Sequence, residues 1–133
     1  MGLKEIMERN PNLTLGDLQE LQRLYDERFV DKKFATSFGK VEHTYAHLGK
    51  LLGRLAGYVE AMEEGRVVST EDIKTKVIPD LLVYSAWLAR EFEVDMEKAY
   101  LTRFVGNLKR LYSNKIPPQE LAELEDCVGR RLE

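Results

Sequence analysis

Apolar residues recur every three or four positions along nearly the whole chain, and nowhere do they alternate as a half-buried strand would. The period predicts a short helix over 3–9, stopped by Asn10 and Pro11, and a longer one opened by Thr14. Asp17 stands three residues after Thr14, the spacing of a capping box. That helix runs to about Phe29, with Leu15, Leu18, Leu21, Gln22 and Tyr25 along one side. Residues 30–38 read as a connector. A second long helix spans about 40–64. Its apolar stripe is Val41, Tyr45, Leu48, Leu51, Leu52, Leu55, Val59 and Met62, and Gly65 ends it. Ser69 or Thr70 caps the next helix, with Glu71 and Asp72 in its first turn. Pro79 interrupts that helix, because proline removes a backbone donor and crowds the preceding turn. Either a kink or a new helix from Pro79 to about Phe92 follows. Asp95 caps a helix over about 96–113, and Pro117 and Pro118 open a last one over about 118–131. The expected fold is all-α, with four main antiparallel helices in a bundle, short terminal helices, and a single domain over 1–133.

Composition narrows the function. With 133 residues the chain is long enough for a core that needs no staples. The net charge is −3 with 32% charged residues, so no basic excess points to nucleic acid. No apolar run approaches the ~20 residues of a membrane span, and MGLKEIMERN has no apolar stretch of a secretion signal. The lone Cys127 has no internal disulfide partner. A cytoplasmic setting is expected, with Cys127 buried or half-buried as a small apolar residue.

Gly49, Gly53, Gly57 and Ala61 fall four residues apart on the second long helix. A glycine inside a helix costs about 1 kcal/mol relative to alanine, so three at this spacing call for a compensating gain. Close approach of another helix, within the chain or across a dimer, is the first reading. A groove for a flat ligand is the second.

Three stretches together resemble the MazG-like all-α nucleoside triphosphate pyrophosphohydrolases. They are LTLGDLQELQ (13–22), KLLGRLAGYVEAM (50–62) and PDLLVYSAWLAREFEVDMEKAYLTRFVGNLKR (79–110), and the last is the best match. The resemblance covers roughly 13–110. In that family one helix carries Glu-Glu-x-x-Glu and the next Glu-x-x-Asp. Carboxylates at such spacing share a helix face and form an oxygen cage for Mg²⁺, which activates a water to release pyrophosphate. At the matching positions this chain has Gly53, Arg54 and Gly57, then Val77, and keeps only the aspartate, Asp80. The resemblance therefore implies a MazG-like domain without metal-dependent pyrophosphohydrolysis, with Asp80 a remnant metal ligand or a helix-start charge. It also implies a homodimer or tetramer, and a nucleotide or other phosphorylated ligand held by a basic residue and an asparagine at Arg103 and Asn107. Arg110 shares their helix face. Lys50 and Arg54, at i and i+4, are candidates to grip phosphate in place of metal charge, or to pair with Glu60, Glu63 or Glu64 of a neighbouring subunit.

Two alternatives stay open. One is a non-enzymatic module whose business is helix pairing. The other is a divergent Mg²⁺-dependent hydrolase in which Asp80 combines with Glu42, Glu60, Glu63, Asp72 or the histidines. His43 and His47 stand four apart, so both imidazoles can face one metal, but packed or surface histidines are the commoner case. Tyr45, Tyr58, Tyr84 and Trp87 read as core residues before they read as a base-stacking pocket.

Overall fold

The computed structural model describes residues 2–9 and 12–133, all-α and without a strand among them. The helices are Leu3–Arg9 (α1), Leu15–Phe29 (α2), Ser37–Glu63 (α3), Ile78–Glu91 (α4), Met96–Tyr112 (α5) and Pro118–Arg131 (α6). A 3₁₀ turn, Asp31–Lys33, lies in the expected connector, and a π turn, Ile73–Val77, leads into α4. Asn10 and Pro11, the expected stop of α1, lie outside the described residues.

Local chemistry sets the helix ends. The Thr14 hydroxyl accepts from the Asp17 N–H at 3.0 Å and the Asp17 carboxylate accepts from the Thr14 N–H at 2.9 Å, so the capping box is formed. The Thr36 hydroxyl accepts from the Gly39 N–H at 3.0 Å. This cap starts α3 three residues before the apolar stripe announces it. At its other end Gly65 takes φ 70°, and the Arg66 N–H reaches the Ala61 carbonyl at 2.9 Å while the Gly65 N–H reaches Met62 at 3.1 Å. These are the paired bonds of a Schellman stop. Pro79 falls in the first turn of α4, and the Ile78 N–H donates to Ile73, five residues back. Widening the turn there accommodates the ring without ending the helical path.

The chain divides into two compact units, Met1–Glu93 and Val94–Glu133. In the first, α4 packs on both α2 and α3, and α1 packs on α2. Among its described residues the buried apolar ones are Ile6, Val30, Leu51, Ala61, Val77, Trp87 and Ala89. The second is an α5–α6 pair in which Val105 is buried. Cys127 is exposed rather than buried, because α6 has no fully buried residue to form an inner face. Of the expected α3 stripe only Leu51 is fully buried. Tyr45, Leu52, Val59 and Met62 are exposed, which corrects the reading of Tyr45 as core.

Candidate functional site

His43, His47, Lys50 and Arg54 form one stripe on α3, spaced 4, 3 and 4 residues apart. Across from it, α4 supplies Asp80, Tyr84 and Trp87. The two histidine rings lie 4.3 Å apart, and His47 stacks on Tyr84 at 5.0 Å with 20° between planes. His43 lies parallel to the buried Trp87 at 6.0 Å, and Phe34 closes the outer side at 5.2 Å from His43. Trp87 and Tyr84 thus support a ring platform, with Trp87 buried, Tyr84 and His47 half-buried and His43 exposed. Among the described residues the Trp87 Nε1 has no hydrogen-bond partner.

The electrostatics follow from this crowding. Burial pulls the His47 pKa below its ordinary 6.5, His43 and Lys50 add to the fall, and Asp80 opposes it. Burial and Asp80 push the Tyr84 hydroxyl pKa up. His47 is therefore neutral at pH 7. Asp80 sits in the first turn of α4, where its charge complements the helix dipole. Lys50 and Arg54 are exposed and form no ion pair among the described residues.

Mg²⁺ needs several oxygen ligands. Among the described residues no three of His, Cys, Asp or Glu gather closely enough to hold a metal ion. Val77 is buried in the core and Gly53 and Gly57 offer no side-chain donor, so these positions do not fit a Mg²⁺ cage of the kind that the family's acidic motif builds.

The other expected ligand residues lie on α5, in the second unit. The Arg110 guanidinium donates to the Asn107 side-chain amide oxygen, Oδ1, at 3.3 Å. Arg103, with Val94, Asp95, Lys98, Thr102 and Gly106, lines an open groove of about 490 Å³. The five candidates thus fall on two units, Lys50 and Arg54 on one and Arg103, Asn107 and Arg110 on the other. In the small-residue stripe, Ala61 is buried, whereas a Cβ added at Gly49, Gly53 or Gly57 would meet no atom within 4 Å. Among the described residues no element approaches those glycines closely.

Sequence reasoning missed a second cluster beside the ring platform. Lys40 is 3% exposed, and its Nζ lies 3.1 Å from Asp31, 3.5 Å from Glu91 and 3.6 Å from Asp26. It also lies 5.3 Å from the centre of the Trp87 ring. Arg90 meets Asp31 at 2.8 Å, Gln22 donates to Asp26 at 2.8 Å, and Ser37 bonds Glu91. Burial pushes the Asp26 carboxyl pKa up, against the pull of Gln22, Lys40 and Arg90. Burial works the same way on Asp31, but Arg90 and Lys40 outweigh it and hold that carboxyl below its usual range. With every cation already paired to acids, the cluster reads as an internal pin joining the end of α2, the start of α3 and the end of α4.

Among the described residues no helix is long and apolar enough to cross a membrane. Comparisons of the chain with protein-family models, curated proteins and solved structures found no match.

Proposed function

We propose that the chain is a MazG-like helical domain that binds a nucleotide or another phosphorylated molecule and does not hydrolyse it by the family's metal-dependent route. The observation that carries this reading is the α3–α4 face. Two cations without ion-pair partners among the described residues, Lys50 and Arg54, continue the stripe that holds the stacked His47–Tyr84 pair. Arginine offers phosphate two parallel donors and lysine a compact charge. Aromatic rings beside those cations give a flat base a surface to lie on. The carboxylates needed to hold Mg²⁺ around the phosphates are replaced at this face by Gly53, Arg54 and Gly57.

Thermal unfolding against nucleoside mono-, di- and triphosphates, with Mg²⁺ and with EDTA, tests the proposal. A ligand that binds the native state raises the midpoint by mass action. The expected result is a shift in EDTA that Lys50→Ala and Arg54→Ala abolish. A shift that needs Mg²⁺, with release of pyrophosphate lost in Asp80→Asn, would replace this reading with a rearranged hydrolase. Binding that survives Lys50→Ala and Arg54→Ala but is lost in Arg103→Ala or Arg110→Ala would move the ligand from the α3–α4 face to α5.

A further inference from the structure

α5 carries a pattern that its pairing with α6 does not use. Val105 is buried and Leu101 and Leu108 are half-buried, and these positions share the side of α5 that packs on α6. Another side repeats every seven residues: Tyr100 with Asn107, Arg103 with Arg110, and Phe104 with Leu111. On a helix these six positions fall within about a third of the circumference. Five of them are exposed, Asn107 being half-buried. Tyr100 is 62% exposed, Leu111 51% and Phe104 46%. The Tyr100 and Phe104 rings lie 6.2 Å apart with 28° between planes, and the bond to Asn107 holds the Arg110 guanidinium beside them.

The charge on this side is unmatched. α5 contains four cations and a single acid. Lys109 pairs with Glu125, and the acid, Glu97, pairs with Arg131, both partners being on α6. Arg103 and Arg110 form no ion pair among the described residues. Apolar positions at a seven-residue repeat, with charges beside them, are the pattern of a helix that receives another helix. Tyrosine and arginine are also the residues on which protein interfaces most often depend. The two arginines stand two turns apart, about 10 Å along the axis, which matches two carboxylates seven residues apart on a facing helix. A second α5 cannot supply them. Laid antiparallel, its own arginines would oppose Arg103 and Arg110. Laid parallel, they would oppose Leu101 and Leu108, on the side that α6 takes. An anionic bilayer or a polynucleotide meets the net charge of −3 of the whole chain, which repels it. A short acidic helix meets only the local arginines.

We infer that this face of α5 docks an acidic amphipathic helix of another protein. The apolar stripe of that helix lies over Tyr100, Phe104 and Leu111, and two of its Glu or Asp residues, seven apart, pair with Arg103 and Arg110. The planar fork of each arginine gives a carboxylate two parallel bonds. Asn107 puts a polar group within the seam, which fixes the register of the docked helix at some cost in affinity. The surface is separate from His43, His47, Lys50 and Arg54, so the docking stands whether or not the α3–α4 face binds a ligand.

Fluorescence anisotropy with two labelled peptides tests the docking. Both are designed helices about three heptads long with one leucine stripe. One carries Glu at flanking positions seven apart, and the other carries Lys there. The Glu peptide is expected to bind the native chain about tenfold more tightly than the Lys peptide. In the double variant Arg103→Glu, Arg110→Glu the order inverts. Tyr100→Ala combined with Phe104→Ala weakens the Glu peptide about tenfold, with helicity by circular dichroism unchanged. Failure of both peptides to bind overturns the proposal, and so does binding of the Glu peptide that the charge reversal leaves unchanged. Phosphatidylserine vesicles and a single-stranded oligouridylate are run beside the peptides. Binding of either that exceeds the Glu peptide's, and is lost in the charge-reversed variant, overturns a protein partner and assigns the face to a membrane or to RNA. Lys50→Ala and Arg54→Ala are expected to leave peptide affinity unchanged, which keeps this result distinct from that for nucleotide.

Discussion

Lys40 shows what a single residue does in this fold and why the linear pattern hides it. Its partners, Asp26, Asp31 and Glu91, stand at different distances along the chain, and only the packing of α2, α3 and α4 brings them to one amine. Periodicity marks apolar positions, so a lysine between them reads as surface. Taking Lys40 and Asp26 out of water is costly, and their attraction offsets that cost only while both are present. Removing one leaves the other charged and buried. Lys40→Met is therefore expected to cost about 3 kcal/mol, since Asp26 is 1% exposed and keeps only Gln22 as a close donor. Lys40→Met combined with Asp26→Leu should recover most of that loss, because the apolar pair leaves no unpaired charge. Urea unfolding of the two variants beside the native chain checks this. A double variant no better than the single one would mean that Asp31 and Glu91, not Asp26, carry the interaction.

At the scale of helices, the legible features are those whose chemistry is local. The Thr14–Asp17 capping box, the Asp95 cap and the Gly65 stop each involve residues within a few positions of one another, and each is present. α3 begins three residues ahead of the start its apolar stripe predicts, because the cap at Thr36 needs no apolar neighbour. At Pro79 the alternatives of a kink or a new helix resolve into a π turn that runs straight into α4. The larger gap concerns which side of α3 faces inward. An apolar stripe says that a face is covered but not by what, and here most of the stripe lies outside the chain's own core. Within the candidate site, the spacing of His43, His47, Lys50 and Arg54 was readable, whereas the stacking of His47 on Tyr84 depends on how α4 packs. The Gly65 stop gives a test at this scale. At φ 70° an alanine Cβ meets its own backbone, with open space elsewhere. Gly65→Ala should cost about 1 kcal/mol through that strain alone. A cost near zero in thermal unfolding would mean that the end of α3 relaxes freely.

The two units differ in how much they bury, and this sets how the molecule opens. Among the described residues of Met1–Glu93, seven apolar residues are buried, beside the Lys40 cluster drawn from helices far apart in sequence. In Val94–Glu133 the buried apolar residue is Val105, and Tyr100, Phe104, Leu111 and Tyr112 are exposed. Ion pairs between partly or mostly exposed groups also join the two helices, Lys109–Glu125 at 2.9 Å and Arg131–Glu97 at 2.5 Å. Such pairs contribute little, because water and salt screen them. Burial of a large aliphatic side chain contributes roughly 1.5–3 kcal/mol, so a difference of several such residues outweighs the exposed pairs. Hydrogen exchange is expected to report two levels of protection, with α5 and α6 opening at lower free energy than α3 and α4. Added salt should lower protection in α5–α6 slightly and leave the α3–α4 amides unchanged, since the Lys40 cluster is shielded from ions. Uniform protection across both units would show instead that they unfold as one, and the small core of α5–α6 would then draw its stability from contacts beyond its own two helices.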